Sequence, residues 1–398
     1  MPKVLRIINR LNIGGPTYNA AYLTAHLPQP YETRLLSGQL ATGEESSQHV
    51  LEELGIEAHY LPHMQRELSP GLDVRAYRQL KQALITYHPD IVHTHAAKAG
   101  MLGRLAAMNQ HVPVIIHTFH GHVFHSYFSP AKTRLFIQIE RFLASLSSAI
   151  IALSPLQAYE LTEVFNICKP EKIRIIPNGF DLSPFETQQP EKRQAFRSSW
   201  GIAEEALVIG LIGRMAPIKN HALFLEAFAH LKARSTQPVV AVLVGDGELR
   251  PSLEALCHSL NLKTGQAERL QPGADVLFTS WIRDVSAPIA GMDIVAMSSL
   301  NEGNPVALVE AQAAAKPCVS TDVGGVRDTL LPDVSGYVVP SGQPRPLAEA
   351  LLGLVNDAPL RQQMGQQGRQ FAQLRFSYQR LVQDMHALYE AELRKHRH

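Results

Sequence analysis

Cysteine is scarce, with three in 398 residues. Cys168, Cys257 and Cys318 lie far apart, form no Cys-x2-Cys unit and make no even set. That excludes a disulfide scaffold and a cysteine-built zinc site, and it fits a reducing compartment. Net charge is almost absent at +1, which gives no case for nucleic acid as a partner. No apolar run reaches the ~20 residues of a membrane span, and no secretory leader is expected before Val4. The expected location is cytoplasmic, with attachment at most to the inner face of a membrane. The dinucleotide fingerprint Gly-x-Gly-x-x-Gly is missing too. Gly14-Gly15 is not that pattern, and Gly245-Asp246-Gly247 lacks the third glycine, so no nicotinamide dehydrogenase is expected. No Asp-x-Asp pair occurs to bridge a divalent cation to a phosphate.

What is present is ordinary globular material, 45% hydrophobic and 18% charged. The length suits two domains better than one core. Apolar runs short enough for buried strands recur, each followed by a polar turn and a helical stretch. Leu182 to Pro190 is polar, carries two prolines and reads as the linker, between a domain at 1–182 and another at 191–375.

The most informative stretch is Met292 to Ala311. An apolar strand, Asp293-Ile-Val-Ala-Met297, leads into a turn holding Glu302, Gly303 and Asn304. Asn304 is a candidate N-cap, Pro305 suits the first helical position, and a helix from Val306 is expected to run to about Lys316. Glu302 falls on the loop and Glu310 inside the helix. The helix start offers N–H groups and a positive dipole end to an anion. A second strand, Leu207 to Ile212, ends in Gly213-Arg214, with Lys219 after a short turn. Two cations at one strand end suit a diphosphate whose charge grows as it leaves.

In the first half, Val4 to Ile8 is a strand, Gly14-Gly15-Pro16-Thr17 a turn, and Ala20 to Leu27 helical. Glycine there lets backbone approach a ligand. Asp90 to His95 is a strand ending in His93-Thr-His95, and the next helix carries Lys98. For His93 the expected role is a structural hydrogen bond. His117, His120, His122 and His125 fall within nine residues. They lack a carboxylate or cysteine among them, and strand alternation splits them between faces, so metal is not expected. The helix expected from Ser129 to Leu146 sets Lys132, Arg134 and Arg141 among apolar residues. It packs on the sheet, or rests on an anionic membrane.

Glu302-x7-Glu310, Gly213-Arg214-x4-Lys219, Gly245-Asp246-Gly247 and Thr118-Phe119-His120-Gly121 together resemble the retaining glycosyltransferases of family 4, group 1. The likeness runs through nearly the whole chain. It implies an α/β protein of GT-B fold, two Rossmann-like parallel-sheet domains facing a central cleft. The helix at 376–398 would cross back to the first domain. The resemblance gives the donor, a nucleotide sugar with UDP expected, to the second domain. Glu302 would meet sugar hydroxyls, Glu310 the ribose, Arg214 and Lys219 the diphosphate, and backbone near Arg283 the base. Gly15, Gly245, Gly303, Asn304, Pro305 and Val306 would line the donor. His120 would lie beside the transferred sugar. Gly14, Thr17, His95, Lys98, His122 and His125 fall on the acceptor side. The acceptor expected is a glycan or lipid-linked glycan of a cell surface, because residues 93 to 125 resemble polysaccharide-building members. No cofactor or metal is expected. Ser280 stands where most members carry glycine, and Pro305 where glycine is commonest. An epimerase or hydrolase of the same fold, a transferase using a small acceptor, and a sugar-nucleotide sensor remain as rivals.

Overall fold

The structure is a computed structural model that describes residues 1–12, 14–40, 46–65, 67, 69–121, 130–266 and 273–396. The chain divides into two compact units, Met1–Phe180 with Phe376–His398, and Asp181–Arg375.

The first unit is built on β1 (Lys3–Ile8), β2 (Glu32–Ser37), β3 (Ala58–Tyr60), β4 (Ile91–His95), β5 (Val114–Thr118), β6 (Ala149–Ala152) and β7 (Ile173–Ile175). Their order in the sheet is β3-β2-β1-β4-β5-β6-β7, and every pair is parallel. The central strands are buried because helices cover both faces, and β4 and β5 turn from apolar to polar toward their carboxyl ends, at His93, Thr94, His95, His117 and Thr118. Leu5, Ile7 and Val92 pack on one side with the helix Pro70–Tyr87, while Val4, Ile91 and Ile116 pack on the other with Leu381, Met385 and Tyr389 of the helix Tyr378–Lys395. The expected tail helix from Phe376 is interrupted at Ser377, whose hydroxyl accepts from the Arg380 N–H at 3.3 Å and caps the new helix. Ser377 is flanked by backbone bonds that tie Phe376 and Tyr378 to Phe180.

The second unit contains β8 (Leu207–Ile212), β9 (Val239–Val244), β10 (Thr264–Gln266), β11 (Val276–Phe278), β12 (Ile294–Met297), β13 (Cys318–Thr321) and β14 (Gly336–Val339). It too is wholly parallel, in the order β10-β11-β9-β8-β12-β13-β14. Phe224 and Phe228 of the helix His221–Lys232 fill its core against Ile209 and Leu243. The stretch read as the linker is largely helical. A turn of helix spans Ser183–Glu186, and Pro190 sits in the first turn of a helix Gln189–Ser199, where its missing N–H costs nothing.

In both sheets the chain reverses direction of growth once, between β1 and β4 and between β8 and β12. In an open parallel sheet a ligand crevice forms outside the carboxyl ends of strands at that point. The loops after β8 and β12 carry Arg214, Lys219 and Glu302. After β1 come Gly14 and Gly15, where the helix Gly15–His26 begins, and after β4 comes Lys98, in the first turn of the helix Ala97–Asn109.

Candidate functional site

At the β8/β12 switch point three loops interlock. A short turn at Pro217–Lys219 ends on Lys219, whose ammonium lies 2.6 Å from Glu302 Oε1. The Ser299 hydroxyl donates to the same oxygen at 2.6 Å. Ser298 donates to the carbonyl of Asn220 at 2.9 Å, and Leu300 N–H to that of Ile218 at 2.8 Å, so the two loops are stitched together. Thr321, at the end of β13, donates to Ser299 O at 2.7 Å. Both side-chain donors converge on Oε1 of Glu302.

The loop after β13 supports Glu302 from behind. Gly325 N–H donates to Glu302 O at 3.0 Å. A Cβ on Gly325 would lie 1.8 Å from Gly303 O, and one on Gly324 1.9 Å from Glu302 O, so only glycine lets these loops approach so closely. Residue type and spacing alone assign no role to Gly324, Gly325, Ser298, Ser299 or Thr321. Hydroxyl residues just beyond two neighbouring apolar strands were the available signal.

The helix beyond Glu302 corrects two expectations. Asn304 is not the N-cap, because its carboxamide oxygen accepts from the Thr329 hydroxyl at 3.0 Å. Pro305, with φ −71° and ψ 97°, occupies the cap position, and the helix runs Val306–Ala313 rather than to Lys316. Glu310 is half-buried within it. Desolvation pushes its carboxyl up to about 8. Burial thus favours the neutral acid far more here than at the solvated end of an ordinary helix.

Around this centre, Arg214 is largely exposed and pairs with Glu248 at 3.1 Å. Gly245 has φ +136°, and its Cβ would sit 2.2 Å from Gly213 O, so the ends of β8 and β9 meet there. Ser280 adopts φ +59°, the left-handed conformation glycine usually supplies. Its hydroxyl accepts from Arg250 at 2.5 Å, its carbonyl from Gly245 N–H at 3.0 Å, and these contacts hold the turn without glycine. Arg283 follows on that loop with an exposed side chain.

In the other unit, Gly14 has φ +154° and opens the helix Gly15–His26. Thr17 is buried and donates to Asn12 O at 2.7 Å. A Cβ on Gly15 would press on Asn178 Nδ2 at 3.1 Å, so backbone is close-packed there. Lys98 is 7% exposed and its ammonium lies 2.5 Å from Asp73, with a further bond to Glu67 O. His93 does make structural hydrogen bonds, to Tyr389 at 2.6 Å and Thr118 at 2.7 Å. His95 and His120 come together, Nδ1 to Nε2, at 3.0 Å. Burial lowers His120 to about 3, so its ring is neutral. His122 and His125 lie outside the described residues. Among the described residues no group of three or more His, Cys, Asp or Glu could hold a metal ion, and no helix is long and apolar enough to cross a membrane.

Two wholly parallel, switch-pointed α/β units are the architecture of the GT-B glycosyltransferases. Residues 192–371 match the family described as Glycosyl transferases group 1, and residues 13–184 that described as Glycosyltransferase Family 4, and the chain belongs to this family. It is 30% identical over 313 residues to the Escherichia coli UDP-Gal:alpha-D-GlcNAc-diphosphoundecaprenol alpha-1,3-galactosyltransferase, covering 77% of this chain and 76% of that protein. It is 32% identical over 314 residues to a D-inositol 3-phosphate glycosyltransferase of Jonesia denitrificans, covering 76% and 71%. The crystal structure of Anabaena Alr3699/HepE in complex with UDP superimposes with a TM-score of 0.80 at 21% identity, over 98% of this chain and 100% of that one.

Proposed function

We propose that the protein transfers a sugar from a UDP-sugar, with retention at the anomeric carbon and without a metal ion, to a lipid-linked glycan in cell-surface polysaccharide synthesis. The observation that carries the donor half is the Lys219–Glu302 pair at the β8/β12 switch point. An incoming diphosphate takes over the ammonium of Lys219 and the guanidinium of Arg214, releasing Glu302 and Glu248. Freed, Glu302 accepts from hydroxyls of the sugar. The first N–H groups of the helix Val306–Ala313 have no intrahelical partner and complement the phosphate charge. Glu310 meets the ribose hydroxyls, and the Ser280–Arg283 turn contacts the base. As the diphosphate leaves, its growing charge is held by Lys219 and Arg214, and its oxygen takes the acceptor proton. Retention needs the acceptor to enter on the leaving-group face or a carboxylate beneath the anomeric carbon. Glu302 is committed to the far hydroxyls, so no covalent sugar forms on it.

UDP and its sugars are supported by the names of the Escherichia coli relative and the Anabaena complex. The lipid-linked acceptor is supported by the former. The helix Pro130–Ser145 adds to it, exposing Leu135 (59%) and Phe142 (54%) beside the exposed Lys132 and Arg134, a surface suited to an anionic membrane. The Jonesia denitrificans relative favours a second reading, a small phosphorylated acceptor. Thermal unfolding with UDP, GDP and ADP tests the donor. UDP at ~100 times its dissociation constant adds about 2.7 kcal/mol. Equal protection by all three nucleotides refutes a UDP site.

A further inference from the structure

Two residues of the second unit break the rules of their own elements, and they meet in one contact. Ser280, just past β11, holds φ +59°, a left-handed conformation that costs any residue carrying a Cβ. Arg250 opens the helix Arg250–Ser259, so its cation sits at the positive end of the helix dipole. Its Nη1 donates to the Ser280 hydroxyl at 2.5 Å, across 30 positions of sequence. Backbone outliers persist only where their surroundings over-determine them, and they gather where ligands are held.

The surroundings here are a junction of strand-end loops. Arg250 Nη1 also donates to Asp246 Oδ2 at 2.8 Å and Nε to Glu254 at 3.0 Å, while the guanidinium lies 5.7 Å from the centre of the Phe278 ring. Asp246 Oδ1 accepts from the Gly247 N–H at 2.8 Å, and Gly245 N–H donates to Ser280 O at 3.0 Å. Arg250 therefore ties the loop after β9 to the loop after β11. Met215 N–H, bonded to Asp246 O at 2.9 Å, carries the tie to the loop after β8, next to Arg214. Beyond Ser280 the chain turns to solvent. Trp281 is 65% exposed and Arg283 is exposed too, and an open aromatic face suits a planar base.

We propose that Arg250 is a positioning residue: by holding Ser280 left-handed it sets residues 281–283 as the segment on which the nucleobase of the donor rests. The identity of the ligand rests on the proposed function, and the hold of Arg250 on the segment does not. The same tie keeps the base segment in register with the loop of Arg214, so that base and diphosphate are gripped together. Arg250 acts through Ser280 rather than on the nucleotide. Glycine at position 280 would adopt the turn unaided. Serine needs the guanidinium to hold it there.

The test is calorimetric titration of the full chain with UDP and, separately, with inorganic pyrophosphate. Arg250→Met should weaken UDP about tenfold, the scale of one hydrogen bond to a charged group, and leave pyrophosphate unchanged. Ser280→Ala, which keeps the Cβ and loses the acceptor, should do the same. Ser280→Gly should bind UDP as the wild type does, and Arg250→Met with Ser280→Gly should regain most of the lost affinity. A folded Arg250→Met protein with wild-type UDP affinity overturns the proposal. So does equal loss of UDP and pyrophosphate, or a Ser280→Gly protein as weak as Ser280→Ala, which would make the hydroxyl itself the contact. A second readout needs no ligand. In a Trp200→Phe background Trp281 is the one tryptophan left, and its fluorescence anisotropy should fall on Arg250→Met. Unchanged anisotropy overturns the hold of Arg250 on the segment. If the wild-type protein binds pyrophosphate but no nucleotide, the proposed function fails and the base-holding role with it, while the anisotropy still decides whether Arg250 holds the segment.

Discussion

Replacing Gly325 by alanine should disable the enzyme without touching any charged or hydrogen-bonding side chain. Gly325 has φ −83°, which any residue adopts, so the substitution adds no backbone strain of its own. Its cost is contact. The new Cβ would lie 1.8 Å from Gly303 O, and ordinary contact begins at 3.4 Å. The opposing atom is backbone, so no side chain can swing aside. The loop bearing Glu302 must retreat by most of that difference, and the bond from Gly325 N–H to Glu302 O must lengthen from 3.0 Å. Overpacking of this kind costs about 1–3 kcal/mol of stability. A displacement near 1 Å at a catalytic group costs on the order of 10²-fold in rate. The measurements are kcat with a UDP-sugar and the urea midpoint of unfolding. Gly353→Ala, in the interior of the helix Pro344–Asn356 with open space at its Cβ, is the control and should gain up to about 1 kcal/mol. A Gly325→Ala protein with wild-type turnover and midpoint would refute the claim that this loop sets Glu302.

Other outcomes follow from the same geometry. Lys219→Ala should lower kcat by about 10²–10³, the scale for losing one preorganised donor, read in steady-state kinetics. Glu310→Gln should mainly raise the donor KM, because ribose contacts are shared by ground and transition states. Glu310 also shapes stability against pH. Its folded carboxyl titrates at about 8 against an ordinary 4.5, so its contribution is full below 4.5, declines as the unfolded chain ionises, and is gone above 8. Urea midpoints should show Glu310→Gln gaining on the wild type as pH rises from 5 to 9. Activity should survive excess EDTA; loss restored by manganese or magnesium would show a metal at work. Serine at Leu135 and Phe142 should weaken sedimentation with anionic vesicles, and unchanged binding would remove that helix from the membrane.

Much of the architecture is legible along the chain. Apolar runs such as Leu207–Ile212 and Val239–Val244 are strands because parallel sheets covered on both faces need continuous hydrophobicity. What the sequence leaves hidden is contact between distant residues. Lys219 and Glu302 stand 83 positions apart and meet only because β12 pairs with β8 across the switch point. Asn304 has the chemistry of a cap, but Thr329, brought close by the next loop, takes its oxygen. Lys98 is expected on the acceptor side, and its pairing with Asp73 on the neighbouring helix, which spacing does not reveal, holds it inside. The elevated carboxyl of Glu310 reflects burial, which residue type and spacing do not reveal.

The central claim is retaining transfer from a UDP-sugar, and the stereochemistry of the product tests it most directly. The purified protein is incubated with an α-linked UDP-sugar and a polyprenyl-diphosphate-linked sugar, and the new glycosidic linkage is read by proton NMR. The account predicts an α-linkage on the lipid-borne sugar. A β-linkage would contradict the mechanism, and transfer only to a small phosphorylated polyol would contradict the acceptor.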